Sequence, residues 1–174
     1  GIPIALLLKQ LQNENPAVHQ SAIQKIVNLG PKKTLPYLIH AFKKNKDPQV
    51  RGLILDAIQK MDIYPTQEIL SVFIEGLKDE NPYVSKSALH VLQKMNVLAL
   101  PALRLILNNP KEDSSVRSRS AAVIGNIGGL PAIEALTQAL QNKNNTPIHK
   151  AVSEALIDIG PESKSALSLL IQTS

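Results

Sequence analysis

The chain has 174 residues, 44% of them apolar, a formal net charge of +5, no cysteine, no tryptophan and 3% aromatic residues. That length fits one compact domain or one short repeat array, and the composition argues against wholesale disorder. The absence of cysteine excludes a disulfide framework, a thiol nucleophile and a thiolate metal site, and it fits a reducing compartment. So few aromatic residues leave little material for base-stacking platforms or aromatic cages. The charge is spread evenly: Gly1–Ser87 holds 11 basic against 8 acidic residues and Ala88–Ser174 holds 8 against 6. No apolar run approaches the roughly 20 residues of a membrane span and no signal peptide is visible, so a cytoplasmic location is expected. The first residue is glycine, which reads as a processed product or an excised fragment.

Along the chain, five segments align without gaps on the anchors Val18, Val50, Val84, Val116 and Ile148, spaced 32, 34, 32 and 32 residues apart. Position +8 from each anchor is Ile26, Ile58, Leu92, Ile124 or Leu156, and position +11 is Leu29, Met61, Met95, Ile127 or Ile159. Offsets 0, +8 and +11 share one face of a 3.6-residue helix, which predicts five amphipathic helices of about 13 residues, the B helices. Three residues before each anchor stands Asn15, Asp47, Asn81, Asp113 or Asn145, all good N-caps. Proline follows in the first three repeats, at a position where its missing N–H costs nothing. Position +12 is Gly30, Asp62, Asn96, Gly128 or Gly160, types that tolerate the left-handed backbone ending a helix. Shorter apolar segments between them predict A helices. Four open at Ile2-Pro3, Leu35-Pro36, Leu100-Pro101 and Leu130-Pro131, while another follows Tyr64-Pro65. A lone A helix is expected over about 163–171. The expected fold is an all-α right-handed superhelix of five helix pairs plus that terminal helix, forming one repeat domain over residues 1–174, because no single pair can bury its apolar flanks.

The pattern Asp-Pro-x-Val-Arg at Asp47–Arg51, followed by small and aliphatic residues and a glycine stop, resembles a HEAT repeat. The short period is most similar to the bacterial HEAT-like repeats first named for bilin lyases. The resemblance implies a protein-binding scaffold. It also leaves open an accessory subunit of a bilin lyase, or a nucleic-acid-binding module, which the modest, even charge disfavours. It further implies that Arg51 and Arg117, at position +1, belong to a ladder between adjacent repeats. His19 and His149 occupy the same offset and are read as structural rather than as metal ligands. His40 is read as a surface residue.

No motif for nucleophilic catalysis, phosphate binding or metal-dependent hydrolysis occurs, so the chain is read as non-catalytic, with no cofactor and no metal. Gly125 reads as a close helix contact, and Lys43-Lys44-Asn45-Lys46 as the cationic end of a helix. The candidate working surface is the row of B-helix offsets facing away from the core, expected on the concave side. It comprises Gln20 and Gln24, then Gln59 and Lys60, then Lys86, His90, Gln93 and Lys94, then Lys150 and Glu154. The partner expected there is another protein, through an acidic segment attracted by the basic middle of the row.

Overall fold

The computed structural model describes residues 1–161. It is all-α there, with ten α-helices and no strand among the described residues. In chain order these are α1 (Ile4–Gln10), α2 (Pro16–Leu29), α3 (Pro31–Lys44), α4 (Pro48–Lys60), α5 (Gln67–Leu77), α6 (Pro82–Met95), α7 (Leu100–Leu107), α8 (Ser114–Ile127), α9 (Gly129–Gln141) and α10 (His149–Ile159). Odd-numbered helices are the A helices and even-numbered ones the B helices. The lone helix expected over 163–171 lies outside the described residues. The chain divides into two compact units, Gly1–Val91 and the part from Leu92 onward.

Local capping rules place the B helices. Asn15 Oδ1 accepts the Ala17 N–H at 3.0 Å, Asp47 Oδ1 accepts Gln49 N–H at 3.0 Å, and Asn81 Oδ1 accepts Tyr83 N–H at 2.9 Å. Asp113 holds the cap position of α8 without a side-chain cap bond. Asn145 is not a cap. It is fully buried within a 3-10 helix over Lys143–Ile148, so α10 starts only at His149.

The stops divide by chemistry. Gly30, Gly128 and Gly160 have φ of +87°, +68° and +82°, with ψ near ±150–180°, a region open essentially to glycine alone. Asn96, at φ +57°, uses the left-handed region that asparagine tolerates. Asp62 does not: Asn96 is the one described non-glycine residue at positive φ, and α4 instead leaves through an extended Met61. The linker that follows has room for ordinary backbone before Thr66 caps α5. A further correction concerns α3, which starts at Pro31 and runs through Pro36. A proline at the first helical position is pre-organised for the turn, and it captures the start five residues upstream of the expected one.

The core of each repeat centres on offsets +4 and +8. Ala22, Ile54, Ala88, Ser120 and Val152 at +4 are all fully buried, as nearly are Ile26, Ile58, Leu92, Ile124 and Leu156 at +8. Offset +11 is less uniform, because Leu29 remains exposed. Small residues at +4 let helices approach closely. Gly125 on α8 does the same, since a Cβ there would lie 3.0 Å from the Ala155 Cβ of α10. Within each unit the B helices meet one another more extensively than the A helices do, α2 with α4 and α8 with α10.

Two stability measurements test this. Asn81→Ala should cost about 1 kcal/mol in denaturant unfolding, and Asp113→Ala clearly less, because only Asn81 makes a side-chain cap bond. Gly125→Val should cost about 1–3 kcal/mol through overpacking against Ala155.

Candidate interaction surface and the ladder beneath it

Offset +1 works beneath the surface. Each B helix starts after a connection of three to seven residues from an A helix whose last carbonyls lack helical partners. In four of the five repeats the +1 side chain bonds back to that stretch. Arg51 Nη1 donates to Phe42 O at 2.7 Å and Asn45 O at 3.3 Å, with its guanidinium carbon 4.0 Å from the Phe42 ring centroid. Arg117 Nε donates to Leu107 O at 2.9 Å. His19 Nε2 bonds to Asn13 O, and His149 Nε2 lies 3.3 Å from Asn142 O. In the third repeat the position is Ser85, whose Oγ reaches only Pro82 O at 3.5 Å.

The longer side chains also reach the next repeat. Arg51 Nε pairs with Asp79 Oδ2 at 3.0 Å, in the loop between α5 and α6. Arg117 Nη2 donates to Asn145 Oδ1. His19 Nε2 also lies 3.1 Å from Gln49 Nε2 at the start of α4, a close contact and not a second hydrogen bond, because the ring nitrogen that donates to Asn13 O cannot also accept from an amide N–H. Asn145 in turn donates to Asn108 Oδ1 at 2.9 Å and Ala139 O at 3.0 Å, so both ends of its amide are used. Arg117 is only 2% exposed, and burial pushes its pKa below the usual arginine range. The ladder expected at this offset is therefore present, and it takes in Asp79, which the sequence does not single out, and Asn145, whose position in the repeat reads as a cap. Their partners lie 28 residues away, and no local pattern announces them.

The outward row sits above this ladder. Gln20, Gln24, Gln59, Lys60, Lys86, His90, Lys94, Lys150 and Glu154 are exposed, while Gln93 is half-buried. Lys60 Nζ donates to Gln20 Oε1 at 3.4 Å, joining α4 to α2, and Gln24 Nε2 donates to Asn28 Oδ1 at 3.0 Å. Lys86, His90, Gln93 and Lys94 share one face of α6 by their helical spacing. The unit boundary falls inside α6, so Gln93 and Lys94 belong, with Lys150 and Glu154 on α10, to the part from Leu92 onward. Two apolar residues stand at offset +9 beside this row: Ile157 is 73% exposed and Val27 half-buried.

Sequence reading missed one feature of this face. Gly52, at offset +2 of α4, is buried under the Tyr83 ring, which occupies the space a Cβ would need. The Tyr83 hydroxyl donates to Asp56 Oδ2 at 2.6 Å. Burial first, then the Asp56 hydrogen bond and charge, push the tyrosine pKa well above its usual value. Helices α2, α4 and α6 contain a single carboxylate, Asp56, and this bond engages it. The glycine at +2, where other repeats carry Gln20, Lys86 or Lys150, was the available signal.

No group of three or more histidine or carboxylate side chains is placed to hold a metal among the described residues. No described helix is long and apolar enough to cross a membrane.

With stacked helix pairs, close-packed glycines and an inter-repeat ladder in place, comparison with known proteins is direct. The HEAT repeat family matches residues 4–66, and the PBS lyase HEAT-like repeat matches residues 116–142. The chain is a HEAT-like repeat protein. Deoxyhypusine hydroxylase from Cryptococcus neoformans var. neoformans serotype D (strain B-3501A) is 32% identical over 105 residues, 57% of this chain and 29% of that protein. The chain thus spans less than a third of that relative's length. A crystal structure of an engineered protein superposes over 94% of this chain and 80% of its own, at 19% identity and a TM-score of 0.45.

Two outcomes follow. Asn145→Ala should cost about 2–3 kcal/mol, because it strips a partner from the buried Arg117 charge, whereas Asp79→Ala, whose pair is nearer solvent but which also accepts the Asn81 N–H, should cost less, about 1–2 kcal/mol. In a spectrophotometric titration, one of the three tyrosines should ionise above the usual pKa of about 10, and Asp56→Asn should bring it down toward that value. The raised pKa belongs to the folded state, so its contribution to stability is complete below pH ~10 and is lost as pH rises further.

Proposed function

We propose that this chain is a non-catalytic scaffold that binds an acidic segment of a partner protein on the exposed face of its B helices. One observation carries the reading. On α2, α4 and α6 the exposed row is made of amides and cations, and the one carboxylate these helices contain is tied to Tyr83. An acidic segment meets lysines that attract it and glutamines that supply directional hydrogen bonds. HEAT repeats supply the general support, since such arrays commonly mediate protein–protein interaction. The match of residues 116–142 favours one second reading, an accessory subunit of a bilin lyase. That role requires co-purification with a pigment protein or a second HEAT-like chain.

The test uses a fluorescein-labelled octaglutamate peptide and the full chain. Lys86→Glu combined with Lys94→Glu should weaken binding about tenfold at low salt and by much less at high salt, because exposed charges are screened. The melting temperature should stay nearly constant, since both side chains are exposed. Unchanged affinity in the double variant places the acidic segment elsewhere and refutes the reading.

A further inference from the structure

Helix α3 breaks a rule that the neighbouring A helix obeys. α5 opens with Glu68 in its first turn, where negative charge suits the N-terminal end of the helix dipole. α3 opens with Lys32 and Lys33 as its second and third helical residues, where positive charge is opposed by that dipole. It closes with Lys43 and Lys44, where the dipole welcomes them. The helix contains no carboxylate, all four lysines are exposed, and none forms an ion pair among the described residues. The apolar side is fixed by Leu38, Ile39 and Phe42 in the core. The opposite side therefore carries Lys33, Tyr37, His40 and Lys44 in line, with Tyr37 55% exposed.

A cation pair kept at an unfavourable helix end, with no internal partner, is a local cost without a folding benefit. Such conflicts concentrate at functional surfaces. We infer that the outer face of α3 is a second docking surface, independent of the B-helix row, for an extended acidic segment of a partner protein. Eleven residues separate Lys33 from Lys44, roughly 16 Å along a helix, which an extended segment of about five residues spans. Carboxylates at both ends of that segment would meet the two lysine pairs, and its middle would lie on Tyr37. Exposed Glu68 and Glu75 on α5 repel the same segment, so its path is held to α3. A single tyrosine gives no run of stacking platforms for nucleic acid. The face likewise lacks the several bulky apolar side chains that seat a helix in a lipid surface.

The decisive variant is Lys32→Glu combined with Lys33→Glu, measured with labelled octaglutamate in the full chain already carrying Lys86→Glu and Lys94→Glu, so that the B-helix row contributes no binding and the α3 face is read alone. The new carboxylates complement the helix dipole, so the melting temperature should rise while peptide affinity falls about tenfold at low ionic strength. Stability and binding moving in opposite directions is the signature of a cation pair kept for a ligand. Zero-length carbodiimide coupling then joins peptide carboxylates to lysine amines of the unsubstituted chain, and mass spectrometry should find adducts on Lys43 or Lys44. The inference is overturned if affinity is unchanged, if the melting temperature falls, or if adducts are confined to Lys60, Lys86 and Lys94. It is equally overturned if the substitutions abolish binding of octauridylate or of phosphatidylserine vesicles and leave the peptide untouched.

Discussion

The structure depends on how the carbonyl groups at the ends of the A helices are satisfied. A carbonyl left without a donor between repeats is costly where it is buried. Position +1 of the B helix supplies the donor in four of the five repeats, from arginine or histidine. Once a donor reaches back to its own A helix and forward to the next loop, the spacing between repeats is fixed. Small residues let helices approach closely at some of these positions: +4 is alanine or serine in three repeats, against Ile54 and Val152 in the others, and Gly125 lies against Ala155.

The two arginines solve the same problem at different depths. Arg51 lies partly open, over an aromatic ring and beside a carboxylate, so its charge is balanced by charge. Arg117 is buried and balanced by neutral oxygens from Leu107 and Asn145. Desolvation is severe in the second case, and the pair adds less to net stability than its hydrogen bonds suggest. What it fixes is register, because a displaced Asn145 would strand both Arg117 and its own amide.

Local rules made the helices and most of their ends legible in the sequence. A cap oxygen and the N–H it accepts are two residues apart, and a glycine stop concerns a single backbone position, so Asn15, Asp47, Asn81 and Gly128 could be read directly. Besides the α3 start, two departures differ in kind. Asp62 matched a residue-type rule, but the linker behind it offered an extended exit, so the rule was not enforced. Asn145 stood in register with true caps, yet its partners Arg117 and Asn108 lie 28 and 37 residues away, and they outbid the local role. The exposed row followed from helical period alone. The Tyr83–Asp56 bond did not, because it joins consecutive repeats across a glycine whose significance depends on what covers it.

Stacking and surface chemistry use different offsets of the same helix, and this separates them physically. Offsets 0, +1, +4 and +8 face the core or the next repeat, and nearly all are apolar or are donors committed to a carbonyl. Offset +10 is exposed in every repeat, as Asn28, Lys60, Lys94, Asn126 and Asp158, and carries amide, cation and carboxylate in turn. A substitution at +10 changes what the face attracts without touching the ladder, whereas one at +1 alters the spacing of everything above it. Gly52 is the place where the separation fails. Its offset belongs to the surface row, but the Tyr83 ring from the next repeat covers it and brings a hydroxyl to Asp56. At that position a stacking contact fixes where the one carboxylate of α2, α4 and α6 sits and occupies one of its oxygens, so packing between two repeats and the polar groups offered to a partner become one property.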